Sequence, residues 1–158
     1  MRYQFGKSIT ELAKKDKSIY LLTGDIGFLV FDEFRELFPE RFINFGIREQ
    51  TMIGFASGMA LKGLKPYVYT ITPFLIERPF EQIKLDVDQQ NTNVKLIGYA
   101  DYPGQGPTHA ELNGEGLIGL LKNTAKYFPK NSEETHRAII ESYESERPTF
   151  ISLKKDPN

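Results

Sequence analysis

Short apolar runs alternate with segments of helical periodicity along the whole chain. The apolar runs end at Gly, Pro, Asn or Asp, as buried strands do, and the helical segments repeat apolar residues every three or four positions. The predicted strands span 19–22, 42–45, 67–70, 94–98, 125–128 and 149–153, and the predicted helices span 5–14, 32–38, 48–63, 80–89, 117–121 and 133–143. We therefore predict an α/β fold: a single three-layer domain over 1–158, with a mostly parallel sheet of about six strands and helices on both faces.

The unusual residues of the chain follow the predicted strands, where parallel α/β sheets bind ligands. A long loop over 101–115 is rich in Gly and Pro, and loops of that length are often functional. Asp32 has a structural interpretation instead, since it is predicted to cap the helix over 32–38. The segments that follow strands and carry unusual residues are 24–25, 46–49, 70–74 and 99–109.

Composition excludes several classes of function. The chain has 158 residues, a formal net charge of -1 and dispersed Lys and Arg residues, so neither a nucleic acid nor a membrane is an expected partner. It has no Cys, which excludes disulfides and thiolate chemistry, and with only two His residues no metal site is expected on it. Neither a signal peptide nor a membrane span is visible, and the expected location is the cytoplasm.

Glu49 is the leading candidate for chemistry. It follows a turn at Gly46 and opens a long predicted helix, a position that the helix dipole favours for any acidic residue. The surrounding run 44–50, Asn-Phe-Gly-Ile-Arg-Glu-Gln, and the small residues after it resemble the pyrimidine-domain signature of transketolases and deoxyxylulose phosphate synthases. The resemblance implies the thiamine diphosphate-binding fold. It also implies that Glu49 contacts a ring nitrogen of the cofactor's aminopyrimidine and favours the imino tautomer that deprotonates the thiazolium carbon.

An aromatic segment over 72–83 resembles the same family, in which a Thr and a Phe precede an Arg, an aromatic residue, an acidic residue and Gln. The resemblance implies that Phe74 and Phe80 are cofactor-binding positions, with Arg78 beside them. Either ring offers a flat apolar wall for a pyrimidine, although aromatic residues at helical spacing fit a core equally well. Asp25 falls where the family has an acidic residue near the cofactor, and a turn or cap role for it is equally open.

The segment 104–109, Gly-Gln-Gly-Pro-Thr-His, resembles the Gly-Pro-Thr-His motif of the family. The resemblance implies catalytic and substrate-binding roles for His109, whose imidazole can hydrogen bond to a carbonyl that becomes an alkoxide. Gln105 stands where transketolases usually have an acidic residue that recognises a sugar hydroxyl. We therefore assign Gln105 to substrate binding and leave the identities of the donor and acceptor open.

The sequence has no Gly-Asp-Gly motif of the kind that begins the family's diphosphate-binding domain. By analogy with split enzymes of the family, we expect a partner chain to bind the cofactor diphosphate and Mg²⁺ in a heterotetramer of two plus two chains, with self-association through the pyrimidine domain. The implied reaction transfers a two-carbon ketol unit from a ketose donor to an aldehyde or ketone acceptor, with sugars or sugar phosphates as substrates. Two alternatives stay open: a subunit of a thiamine-dependent 2-oxo acid decarboxylase or dehydrogenase, and a catalytically silent interaction module of the same fold.

Overall fold

A computed structural model of the protein describes residues 1–100, 102–110 and 113–154. No helix in these ranges is long and apolar enough to cross a membrane. The strands are β1 (Ile19–Thr23), β2 (Phe42–Asn44), β3 (Lys65–Ile71), β4 (Lys95–Tyr99), β5 (Ala125–Tyr127) and β6 (Thr149–Leu153). The helices are α1 (Arg2–Lys15), α2 (Asp32–Leu37), α3 (Glu49–Leu61), α4 (Thr72–Ile76), α5 (Phe80–Gln82, continued by a π-helix over Ile83–Gln89), α6 (Gly114–Gly119) and α7 (Ser132–Glu144).

The strands form one sheet in the order β2-β1-β3-β4-β6-β5, and each neighbouring pair is parallel. The predicted parallel α/β fold is therefore confirmed. The chain leaves β1 for the edge strand β2 and then crosses back to β3, so its direction of winding switches between β1 and β3. The carboxyl ends of these two strands, Thr23 and Ile71, border the kind of crevice in which open α/β sheets bind ligands.

Both faces of the sheet are buried, which divides the core into two apolar layers. Alternate residues of one strand enter different layers because side chains on a strand point to opposite faces. In β3, Tyr67 and Tyr69 belong to the layer that also contains residues of α1, α2 and α7, whereas Val68 belongs to the layer that contains residues of α3, α4 and α6. Tyr69 stacks on Phe5 of α1 with the ring centroids 5.7 Å apart. The three layers are thus tied together by the two faces of each central strand.

Some local expectations differ from the structure. No helix is predicted over Thr72–Ile76, where the structure has α4; Pro73 is tolerated there because it lies in the first turn of the helix. The prediction that Asp32 caps α2 is wrong, because Phe31 is the N-cap residue and Asp32 lies in the first turn. There the Asp32 carboxylate accepts a hydrogen bond from Nη2 of Arg35 at 3.1 Å, so it pairs with a cation one turn on. The predicted loop over 101–115 contains two 3₁₀ turns, Pro103–Gln105 and Pro107–His109, and ends where α6 begins at Gly114; its residues 101, 111 and 112 lie outside the described ranges.

A buried carboxylate joins the π-helix to the connection that precedes β5. Asp88 is buried and accepts hydrogen bonds from the backbone N–H groups of Lys122, Asn123 and Thr124 and from the Thr124 hydroxyl, at 2.8–3.1 Å. Burial by itself would raise the pKa of Asp88. The hydrogen bonds, led by that of the Thr124 hydroxyl, outweigh burial and hold the pKa below its ordinary value of 3.8.

We expect Asp88→Asn to destabilise the fold by about 3 kcal/mol, because an amide leaves part of this buried donor set unsatisfied. Asp86→Asn is the matched control, since the Asp86 contacts to Ser57 and Thr92 use its backbone carbonyl. Urea unfolding measures both variants. Because the folded pKa of Asp88 is lowered, the difference between wild type and Asp88→Asn should be full above pH 3.8 and shrink as the pH falls through the folded pKa. Equal effects of the two substitutions would contradict this role of Asp88.

Candidate active site

Glu49 is placed by the turn that joins β2 to α3. Gly46 has a φ of +64°, a conformation that glycine adopts without strain, and α3 begins three residues later at Glu49. The Glu49 side chain is only 4% exposed, and its Oε1 accepts a hydrogen bond from Nη1 of Arg78 at 3.0 Å. A buried carboxylate therefore stands at the amino end of the helix, next to the carboxyl ends of the strands, with one cationic partner.

Arg78 links Glu49 to an aromatic residue. Its guanidinium carbon lies 3.4 Å from the centroid of the Phe74 ring, at stacking distance. The Phe74 ring in turn meets the His109 ring with the centroids 4.8 Å apart and an interplanar angle of 64°. The structure thus brings four of the predicted site residues into one continuous chain of contacts, from Glu49 through Arg78 and Phe74 to His109.

Two open cavities flank this chain of contacts. The first, of about 440 Å³, is lined by Glu49 and Arg78 together with neighbouring residues of the α3 amino end. The second, of about 310 Å³, is lined by Phe74, Gln105 and His109, so the structure also brings the predicted Gln105 to the site. The two cavities together offer room on both sides of the Arg78–Phe74 contact.

His109 is held by the backbone of its own loop. Gly106 has a φ of +105°, and its carbonyl accepts a hydrogen bond from the His109 N–H at 3.0 Å. The His109 carbonyl accepts a second bond, from the Tyr102 N–H at 2.6 Å, and the Thr108 hydroxyl lies 3.1 Å from Nδ1 of the ring. The loop thereby fixes where the imidazole meets Phe74.

Asp25 and Phe80 stand apart from the chain of contacts. The Asp25 N–H donates to Oδ1 of Asn44 at 3.0 Å, and Nδ2 of Asn44 donates to the Asp25 carboxylate at 3.1 Å. Asn44 Oδ1 also accepts from the Gly46 N–H at 2.9 Å, so this pair ties the β1 end to the turn before Glu49. Phe80 is half-buried and packs into the apolar layer beneath α3.

Sequence reasoning missed several residues of the second cavity. Its lining includes Arg2, Tyr69, Tyr99 and Tyr102, and the guanidinium carbon of Arg2 lies 5.2 Å from the centroid of the Tyr99 ring. Burial raises the pKa of Tyr102 to about 12, so its phenol is neutral. The sequence does offer a signal for the tyrosines, because Tyr69 lies near the carboxyl end of a predicted strand and Tyr99 and Tyr102 follow another. No local pattern places the start of α1 beside them.

Metal ligands are absent from the part of the chain that is described: no group of three or more His, Cys, Asp or Glu residues is arranged there to hold a metal ion. The chain of contacts through the site consists of the Glu49 carboxylate, the Arg78 guanidinium, the Phe74 ring and the His109 imidazole. Such a set can bind a flat, hydrogen-bonding heterocycle and exchange a proton with it.

Comparison with known proteins identifies relatives along nearly the whole chain. A protein of Rhodococcoides fascians, described as an uncharacterized 33.6 kDa protein in the fasciation locus, is 31% identical over 157 residues, which are 98% of this chain and 50% of that protein. One of the subunits of an apulose-4-phosphate transketolase, from Actinobacillus succinogenes, is 36% identical over 119 residues, 73% of this chain and 38% of that protein. The chain spans half the length, or less, of these curated relatives.

The fold agrees with these matches. A solved split-gene transketolase, an inactive beta4 tetramer, is 29% identical and superposes with a TM-score of 0.88 over 99% of this chain and 52% of its own. A family model described as transketolase, pyrimidine binding domain, matches residues 1–157. Since that match takes in the Glu49, Phe74 and His109 segments together, the chain belongs to the family of transketolase pyrimidine-binding domains.

Proposed function

We propose that the chain is the pyrimidine-binding part of a split, thiamine diphosphate-dependent transketolase-like enzyme that transfers a two-carbon ketol unit from a ketose donor to an aldehyde or ketone acceptor. The observation that carries this proposal is the buried Glu49 carboxylate at the start of α3. The planar Arg78 guanidinium joins this carboxylate to the face of Phe74. Relatives described as apulose-4-phosphate transketolase subunits support a sugar phosphate as substrate.

The residues present fit the aminopyrimidine of this cofactor. The space between Glu49 and Phe74 already accommodates a planar group that stacks on the ring and donates an N–H to the carboxylate. An aminopyrimidine is also planar and, with its ring nitrogen protonated, donates to a carboxylate in the same way. When bound, thiamine diphosphate supplies the thiazolium carbon that takes up the ketol unit.

Each side chain then has a distinct task. Glu49 holds and exchanges the proton on the pyrimidine ring nitrogen, and Phe74 supports the ring. His109 and Gln105, on the wall of the second cavity, orient the substrate oxygens. Asp25 acts through Asn44 on the turn that positions Glu49, so its role is that of a positioning residue.

By analogy with split enzymes of the family, we assign the diphosphate and Mg²⁺ to a partner chain, since this sequence has no Gly-Asp-Gly motif. We further propose that the enzyme works in carbohydrate metabolism in the cytoplasm, in keeping with a chain that has no Cys. The active site would lie in a cleft between the two subunits, which is a common location for cofactor sites.

The surface of α3 is the proposed contact with other subunits. Three apolar residues on or beside this helix are exposed: Ile47 by 70%, Phe55 by 49% and Leu61 by 64%. A Cβ atom built on Gly54 or Gly58 would meet nothing within 4 Å, so another helix can approach that side closely. Exposed apolar side chains grouped on one helix surface are typical of a surface that a partner covers. We therefore propose a heterotetramer of two plus two chains that self-associates through this face of the pyrimidine domain.

Glu49→Gln should lower turnover of the assembled enzyme by about 100-fold or more, because an amide cannot exchange the proton on the pyrimidine ring. The matched control is Glu133→Gln, which changes another acidic residue in the first turn of a helix, on α7. Steady-state ketol transfer by the complex with the diphosphate-binding chain measures both variants. Normal turnover of Glu49→Gln would exclude the proposed proton transfer.

The roles of Phe74 and Phe80 should be distinguishable when each residue is replaced by Leu. Phe74→Leu should weaken binding of thiamine diphosphate to the complex by about tenfold, because a branched aliphatic chain cannot stack on the pyrimidine. Phe80→Leu should change the free energy of unfolding and leave the dissociation constant of the cofactor near that of wild type, since the half-buried Phe80 packs against the core. Calorimetric titration and urea unfolding give the two quantities. The opposite result would assign the stacking role to Phe80.

Phe55→Asp should weaken subunit association at least about tenfold, because a charge would be buried at the centre of the α3 contact. Leu37→Asp is the control, since Leu37 is 47% exposed, nearly the same as Phe55, but lies on α2 in the opposite helical layer. Light scattering after size-exclusion chromatography, run over a range of concentrations, reports the assembly. Association that is equally impaired in both variants, or in neither, would argue against the α3 face.

A further inference from the structure

Arg78 lies where the proposed function places the aminopyrimidine of the cofactor. Its guanidinium is 3.4 Å above the centre of the Phe74 ring and donates a hydrogen bond to the Glu49 carboxylate at 3.0 Å. These are the same two contacts, a stacked aromatic face and an N–H directed at Oε1, that a protonated aminopyrimidine would make. The guanidinium and the pyrimidine are both planar and carry nitrogen donors at their edges. One slot therefore serves two groups of similar shape.

The two groups cannot occupy this slot together. A single face of Phe74 accepts one flat group at stacking distance, and the guanidinium already lies at that distance. Arg78 also lines the cavity on the Glu49 side, whereas Phe74 lines the cavity on the His109 side. The Arg78 side chain thus lies on the boundary between the two cavities, and its withdrawal would open the face of Phe74 to the side where Glu49 lies.

The two partners of the ion pair differ in how they tolerate separation. The Arg78 side chain is 34% exposed, so water can solvate its charge after it swings out. The Glu49 side chain is 4% exposed, so it needs another donor as soon as Arg78 leaves. The Arg78 carbonyl accepts a hydrogen bond from Nε2 of Gln50 at 3.4 Å, a contact that a rotation of the Arg78 side chain alone would preserve. Exchange of the guanidinium for the pyrimidine keeps Glu49 paired throughout.

We propose that Arg78 is an internal competitor of the cofactor: in the free chain it fills the pyrimidine slot between Glu49 and Phe74, and it must be displaced before the aminopyrimidine can bind. This inference rests on the proposed function, because it takes the slot to be the aminopyrimidine site. It assigns to Arg78 an effect opposite to that of an ordinary binding residue, since removal of its side chain should strengthen binding of the pyrimidine to the free chain.

The test uses the purified chain and the probe 4-amino-5-hydroxymethyl-2-methylpyrimidine, titrated by calorimetry at mildly acidic pH, where the ring nitrogen of the probe carries the proton that it donates to Glu49. Arg78→Gln should bind the probe at least about tenfold more tightly than wild type, because the probe no longer has to break a charge-assisted hydrogen bond. Arg35→Gln removes the same charge from a solvent-exposed pair with Asp32 on α2 and should behave as wild type.

Arg78→Lys is a second variant for the case in which Arg78→Gln does not fold, as circular dichroism would show. It keeps the charge but has no flat group to lay on Phe74, so its affinity for the probe should also exceed that of wild type. The inference is overturned if the folded Arg78 variant binds the probe no more tightly than wild type. It is overturned in the same way if no folded variant binds the probe.

Thiamine diphosphate binding to the complex with the diphosphate-binding chain separates failure of this inference from failure of the proposed function. Binding in the complex, together with unchanged or weaker probe binding by Arg78→Gln, would leave the proposed function in place and reject only the competitor role. An absence of thiamine diphosphate binding in the complex, with no probe binding by any variant, would reject both. Tighter probe binding by Arg78→Gln supports both.

Discussion

The parallel sheet, buried on both faces, is the constraint on which the rest of this structure depends. Parallel strands require a crossover after every strand, and the crossovers supply the helices that cover the two faces. In a parallel sheet the carboxyl ends of all strands lie at the same edge, so the segments that follow β2, β3 and β4 meet there. Glu49, Phe74 and His109 come from these three turns, although 60 positions separate the first from the last. Their proximity is a consequence of the winding of the sheet.

Burial of the Glu49 carboxylate sets the chemistry of this edge. A carboxylate withdrawn from water needs a partner, and in the structure that partner is the Arg78 guanidinium. The geometry of the pair is shaped by Phe74, because the flat guanidinium lies on the flat ring. A planar slot that always holds a hydrogen-bond donor next to a carboxylate is well suited to a heterocycle that carries its own donors. The stability of the free chain and its proposed affinity for a cofactor thus depend on the same two groups, the Glu49 carboxylate and the Phe74 ring.

The outer face of α3 connects the site to assembly. Glu49 opens this helix, and exposed apolar and glycine positions follow along its length. A subunit packed on this face would therefore lie directly beside the carboxylate. In the proposed enzyme, the outer face of α3 therefore both binds another subunit and brings that subunit to the cofactor site. The open cavities on either side of Arg78 are consistent with a site whose remaining walls come from another chain.

The sequence by itself determined the α/β class, the order of the strands and of the helices other than α4, and the presence of Glu49, Phe74, Arg78 and His109 in family-like segments. These follow from apolar periodicity and from short motifs, both of which are local properties of the chain. Local patterns failed at Asp32, which pairs with Arg35 in place of capping, and they left Phe74 and Phe80 equivalent. Only the tertiary structure decided that Phe74 meets Arg78 and His109 while Phe80 packs against the core, and that Asn44 holds Asp25. The reason is physical: the contacts of Phe74 with His109, of Arg78 with Glu49 and of Asn44 with Asp25 join segments that are distant in sequence, and their geometry exists only after the sheet has set the positions of the strand ends.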